Sequence, residues 1–124
     1  MNVVDSSGWL EYFAEGENAD FFAPAIEDTE NLIVPAISIF EIFKRLLQSY
    51  GLDVAETRLA DLYKGKQVDL TASLALSAAQ LSIQYKLPMA DSLILATVHD
   101  HEATLWTQDE HFKDIPGVKY IQKK

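Results

Sequence analysis

The chain has 124 residues, a mass of 13.9 kDa, a formal net charge of −9 and no cysteine, with 48% hydrophobic residues. That length specifies one domain, residues 1–124, able to bury roughly two-thirds of the surface it exposes when unfolded, and the apolar content excludes a disordered chain. The lack of cysteine excludes disulfides, thiolate zinc sites and a cysteine nucleophile, and suits a reducing compartment.

The opening residues, MNVVDSSGW, carry no basic group and meet an acid at Asp5, unlike a signal peptide. The longest nearly apolar run, Leu32 to Phe40, is too short to span a bilayer, so a cytoplasmic protein with no membrane segment is expected. Charge is unevenly spread. Residues 1–43 hold nine acids and no base, whereas residues 44–124 hold ten of each sign. The first third should repel nucleic acid and attract cations or a basic partner.

In chain order, Val3-Val4 reads as a strand ending at Asp5, followed by helices over Ser7–Glu15 and Asn18–Glu27. Leu32–Ala36 reads as the second strand. Ile39–Tyr50 follows as a helix whose Ile39, Phe40, Ile42, Phe43, Leu46 and Leu47 make a broad apolar face. Gly51 and Gly65 bracket a helix over Val54–Lys64, and Gln67–Leu70 reads as strand three. Helices over Ala72–Lys86 and Met89–His101 flank Leu87-Pro88, and strands at Ala103–Thr107 and Val118–Ile121 complete the order. Strands separated by helices argue for a five-stranded parallel sheet in a three-layer α/β/α domain.

Sites in open parallel sheets form beyond the carboxyl ends of the strands. Four acids should reach that edge. Asp5 ends strand one and Asp109 lies two residues past strand four. Glu41 lies in the first turn after strand two, and Asp91 opens the helix that runs back antiparallel to feed strand four. Each has a plainer reading. Asp5 can cap the next helix, but Ser6 and Ser7 are equally eligible. Ser38-Ile-Phe-Glu41 fits a capping box, and Glu41 can also pair with Lys44 or Arg45. Asp91 can serve a helix dipole, although it stands among large apolar neighbours. Thr107-Gln-Asp-Glu110 fits a second box, which explains Thr107 and Glu110 but not Asp109.

Carboxylates sharing a pocket repel one another, which raises their pKa values or demands a cation. An oxygen-only set favours magnesium or manganese over zinc. His99 and His101 read as surface residues. His111 has no identifiable partner and receives no metal role. No Ser-His-Asp set is arguable, and glycine is too sparse for a phosphate-cradling loop. A receiver domain needs adjacent acids after strand one, and a haloacid-dehalogenase-type phosphatase needs an acid at position 7; both positions hold serine.

The blocks N-V-V-D-S-S at the start, P-A-I-S-I-F-E-I at 35–42, L-P-M-A-D-S-L-I-L-A-T at 87–97 and T-Q-D-E-H-F at 107–112 resemble the PIN-domain ribonucleases, VapC-type toxins of toxin–antitoxin pairs in particular. The resemblance covers essentially the whole chain and implies a metal-dependent endoribonuclease leaving a 5′-phosphate and a 3′-hydroxyl. It places Asp5, Glu41, Asp91 and Asp109 on the family's acidic positions, with Ser6 and Thr107 in support. Asp5, Asp91 and Asp109 then serve as magnesium or manganese ligands, and Glu41 as a ligand or water orienter. It also implies a toxin homodimer and a small antitoxin that covers the site, often with a basic side chain among the carboxylates. The crowded apolar helix bearing Trp9, Leu10, Tyr12 and Phe13, with Phe21 and Phe22 soon after, reads mainly as core packing and can also help form a groove for a partner's amphipathic segment. With a pI of about 4.6, RNA affinity should be weak, metal-dependent and selective for shape, with Lys44, Arg45 and Lys86 flanking the site. The alternatives are a PIN-like binding module without catalysis and another magnesium-dependent phosphoryl hydrolase.

Overall fold

The computed structural model describes residues 1–124. Its strands are β1 (Asn2–Val4), β2 (Leu32–Pro35), β3 (Lys66–Val68), β4 (Thr104–Thr107) and β5 (Val118–Tyr120). Its helices are α1 (Ser6–Phe13), α2 (Ala19–Glu27), α3 (Ala36–Tyr50), α4 (Leu52–Leu62), α5 (Ala72–Tyr85) and α6 (Met89–Asp100). Single 3₁₀ turns stand at Thr29–Asn31 and Glu110–Phe112.

All strand pairs are parallel, in the order β3-β2-β1-β4-β5. Alternation along the central strands divides the core between two faces. Val4, Leu32 and Val34 pack with Trp9, Phe22, Ile42 and Leu62 from α1 to α4. Val3, Ile33 and Leu105 point the other way, onto Ile94, Leu95 and Val98 of α6. Each of these fully buried side chains contributes roughly 1.5–3 kcal/mol. The three-layer α/β/α arrangement expected from the element order is therefore present.

Two helices join β3 to β4, yet only α6 lies on the sheet. Lys86, left-handed at φ 56°, caps α5 and turns the chain. α5 then stacks behind α6 through Leu74, Ala78, Leu93 and Ala96. α6 alone returns to the carboxyl edge, so Asp91 starts where the antiparallel argument requires. The outer helix α5 has no charged residue and leaves Leu76 and Ile83 largely exposed.

α3 begins three residues earlier than the Ile39 boundary, because extended Pro35 ends β2 and passes straight into helix. Pro lacks the N–H that a helix start would leave unpaired in any case. β3 is one residue out of step with Gln67–Leu70 and shorter, as suits an edge strand.

Gly8 is set by close approach. A Cβ there would stand 2.6 Å from Val4 Cγ1 and 2.7 Å from the Phe22 ring, both fully buried. Neither can yield without opening the core, so Gly8→Ala should destabilise the chain by about 1–3 kcal/mol in urea unfolding.

Candidate active site

From β1 the chain extends through β2 to β3 on one side, and β4 and β5 lie on the other, so the sheet's switch point falls between β1 and β4. Asp5 follows β1 and Asp109 follows β4. Around this point lies a cleft of about 430 Å³ whose lining includes Asp5, Ser6, Glu41, Asp91 and Asp109. All four acids singled out in the sequence reach it.

Asp5 is 3% exposed and does two jobs. It is itself the cap of α1, accepting from Gly8 N at 2.9 Å. Ser7 Oγ donates to both of its oxygens at 2.9 and 3.0 Å, and Thr107 Oγ1 donates to Oδ2 at 2.7 Å. Asp5 is thus a helix cap and also lines the cleft. Thr107 is no helix cap: it closes β4, holds Asp5, and accepts from Asp109 N at 2.9 Å. Asp109 caps the 3₁₀ turn instead, accepting from His111 N at 2.9 Å.

The capping box at Ser38 does not form. With α3 starting at Ala36, Ser38 is inside the helix and fully buried. Glu41 is free to turn to α1, where it accepts from Ser6 Oγ at 2.6 Å. Asp91, in the first turn of α6, accepts from His111 Nδ1 at 2.8 Å, and that nitrogen lies 3.4 Å from Asp109 Oδ1. His111 therefore has a partner after all. Potential ligand atoms of Asp91, Asp109 and His111 lie within 4.8 Å of one another, which adds an imidazole to a donor set expected to be all oxygen. Of the other histidines, His99 is exposed, and His101 is half-buried with Nδ1 3.0 Å from the Thr97 carbonyl.

Sequence reading missed Glu11, Gln108 and Lys123, which also line the cleft. Glu11 accepts from Asn18 N at 2.8 Å, and Asn18 Nδ2 donates to Gln108 Oε1 at 2.9 Å. Asn18 and Gln108 are both buried and stand ninety residues apart, so no local pattern reveals the pair. Of the cations expected to flank the site, Arg45 lines it. Lys44 sits over the Phe40 ring, and Lys86 caps α5.

Burial pushes the Asp5 carboxyl up to about 6 against its hydrogen bonds from Thr107, Gly8 and Ser7, and the charge of Asp109 adds to the rise. Burial also raises Asp91, helped by Asp109 and Glu41 and opposed by His111. The hydrogen bond to Asp91 raises His111, with the Asp109 charge behind it. No lysine or arginine pairs with any of the four acids. A desolvated carboxylate beside three others, without a paired base, fits a divalent cation held by oxygen with an imidazole in reach.

Fold and cleft together define a parallel α/β domain with an acidic pocket at its switch point. The sequence model of the PIN domain family matches residues 3–118, and the chain belongs to that family. Similar solved structures include a toxin–antitoxin complex from Klebsiella pneumoniae, at 24% identity, TM-score 0.79 and 96% coverage of both chains. VapC20 of Mycobacterium tuberculosis, described as a sarcin–ricin-loop-cleaving toxin, matches at 14% identity and TM-score 0.78, covering 95% of this chain and 97% of that one. VapBC2 of Rickettsia felis, bound to a promoter DNA fragment, matches at 15% and 0.74, covering 98% and 97%. These likenesses show the shared fold. No curated protein matches by sequence. No helix is long and apolar enough to cross a membrane.

The raised Asp5 carboxyl has a consequence for stability. The folded chain holds a proton there up to about pH 6, whereas an unperturbed aspartate releases it near 3.8. This contribution is complete below about pH 3.8 and is lost as the pH rises through about 6. In chelator, Asp5→Asn has no charge to desolvate and should gain on the wild type by about 3 kcal/mol between about pH 4 and about pH 8. Urea unfolding of both chains across that range measures it, and a difference independent of pH would show that burial does not hold Asp5 up.

Proposed function

We propose that the chain is a magnesium- or manganese-dependent endoribonuclease, acting as the toxin of a VapBC-type toxin–antitoxin pair. The convergence of Asp5, Glu41, Asp91 and Asp109, from four separate segments, into one cleft without a paired lysine or arginine carries the reading. Membership of the PIN domain family supports it, as do toxins among the structures of the same fold.

Asp5, Asp91 and Asp109 would hold the ion, with His111 in reach of the last two. Once bound, magnesium or manganese supplies activated water and offsets the charge that builds on a phosphodiester under attack. The chain's own groups orient the rest. Thr107, Ser7 and Gly8 fix both oxygens of Asp5, so the carboxylate enters the reaction already aimed. Ser6 donates to Glu41 at the cleft, and from there Glu41 would orient a water. Arg45 offers a fork of donors to non-bridging phosphate oxygens. The net charge of −9 argues against general attraction to RNA, so affinity should be weak, metal-dependent and selective for the shape of a structured target.

A partner surface adjoins the cleft. Leu10, Phe13, Leu46, Tyr50 and Val54 line a groove of about 520 Å³ that shares Leu10 and Arg45 with the acidic pocket. An amphipathic segment of an antitoxin laid there would reach the carboxylates from the side. The uncharged outer face of α5, with Leu76 and Ile83, supports a homodimer, because two copies of so acidic a chain meet most easily where neither is charged.

Purified chain incubated with a mixed cellular RNA pool and magnesium or manganese should yield discrete fragments, and none in chelator. Asp5→Asn and Asp91→Asn should each lower the rate about a hundredfold or more. Intact RNA with a well-folded wild-type chain in both metals would overturn the ribonuclease and favour a module that acts by binding alone.

A further inference from the structure

Two cations line the acidic cleft, and neither is spent on it. Arg45 comes from α3 and Lys123 from the segment after β5, and neither forms an ion pair with any carboxylate of the chain. The placement of Lys123 is the less expected of the two. A segment beyond the last strand ordinarily frays unless something ties it down. Here Ile121 N donates to the Thr107 carbonyl at 3.0 Å, extending the β4–β5 pairing. One residue later, the Gln122 carbonyl accepts from Asn18 Nδ2 at 3.1 Å. Asn18 is in turn held by Gln108 and, through its backbone N–H, by Glu11. Burying two side-chain amides is costly unless they are bonded to each other and to the backbone. These two spend their bonds on tying the α1–α2 turn and the end of β4 to the segment that carries Lys123.

We propose, on the nuclease reading of the same cleft, that Lys123 contacts substrate directly, its ammonium taking a backbone phosphate of a bound RNA strand while Arg45 takes another. The charge pattern favours this occupant. A polyanion anchored at the carboxylates through a cation still presents a charged phosphate at every nucleotide, and two unpaired bases at the cleft answer it. A lysine suits a phosphate approached from variable directions, since its ammonium acts as a point charge. The anchoring supplies the order that a free tail lacks. The bond network also accounts for Gln108 and Asn18, two buried polar residues that the acidic cluster leaves without a role.

The test uses Lys123→Gln and Lys123→Arg, with Lys124→Gln as a control of equal charge change. Binding of a mixed-sequence 2′-O-methyl RNA oligonucleotide is measured with manganese from about 50 to about 200 mM salt. Lys123→Gln should weaken binding about three- to tenfold and reduce the slope of log K against log salt by about 0.7, the effect of one lost contact to a single strand. Lys123→Arg should restore both, and Lys124→Gln should change neither. For the RNA cut in the pool, KM should rise in Lys123→Gln with kcat kept within about twofold. If the wild type cuts RNA but Lys123→Gln matches it in affinity, slope and KM, the contact is overturned and the nuclease stands. If the wild type binds with a Lys123-dependent slope and cuts nothing, the contact stands and the nuclease falls. No binding by the wild type overturns the contact. So does tighter binding by Lys123→Gln, which would make the lysine a plug in the cleft.

Discussion

The hydrogen bond from Thr107 Oγ1 to Asp5 joins the ends of β1 and β4 at the point where the sheet reverses direction. Everything in the cleft is arranged around it. A carboxylate this buried is unfavourable beside Asp109, and its three donors recover only part of what desolvation costs. The same hydroxyl receives the backbone N–H of Asp109, so one side chain sets the positions of two acids. Replacing Thr107 by a valine of similar shape would leave Asp5 short of a donor and Asp109 N without its acceptor. The site is built on strand ends and a helix start, which places acids more precisely than loops do.

Separate helices then supply the remaining carboxylates. α3 springs directly from β2 and α6 returns to the same edge, so Asp91 is delivered by the first turn of α6. Glu41, expected in a first turn, falls in the second turn of α3 because that helix already starts at Ala36. Each is paired by a side chain from another element: Ser6 for Glu41 and His111 for Asp91. The repulsion built into the cluster is thus contained by short neutral or histidine contacts. Lysine and arginine are kept out of these pairs, which leaves the cluster's negative charge available to a cation.

Much of this was legible in the sequence because it follows from connectivity. The alternation of apolar runs with helical periods gave the parallel sheet, and the carboxyl-edge rule then selected Asp5, Glu41, Asp91 and Asp109. Local patterns misled where tertiary context overrode them. Ser38-x-x-Glu41 and Thr107-x-x-Glu110 have the spacing of capping boxes, but α3 starts before Ser38 and Thr107 belongs to β4. His111, Asn18, Gln108 and Lys123 were illegible for a different reason. The partners of His111 and Asn18 lie 20 and 90 or more residues away, and only a folded backbone brings them together. Lys123 carries no periodic signal, and its place depends on the Asn18 bond to Gln122.

The pairing of β1 with β4 also governs when the cleft exists. Asn2 to Val4 lie against Thr104 to Trp106, a sequence separation of about a hundred residues, and contacts so distant are slow to close. On the ribosome, β1 and α1 emerge early with Asp5 but without the strand that completes their edge. Asp5 has neither Thr107 nor Asp109 beside it until β4, about a hundred residues further along, has been made. A nascent chain therefore carries no assembled cluster until β4 joins the sheet. The cluster appears abruptly, when β4 pairs with β1, rather than by gradual accumulation.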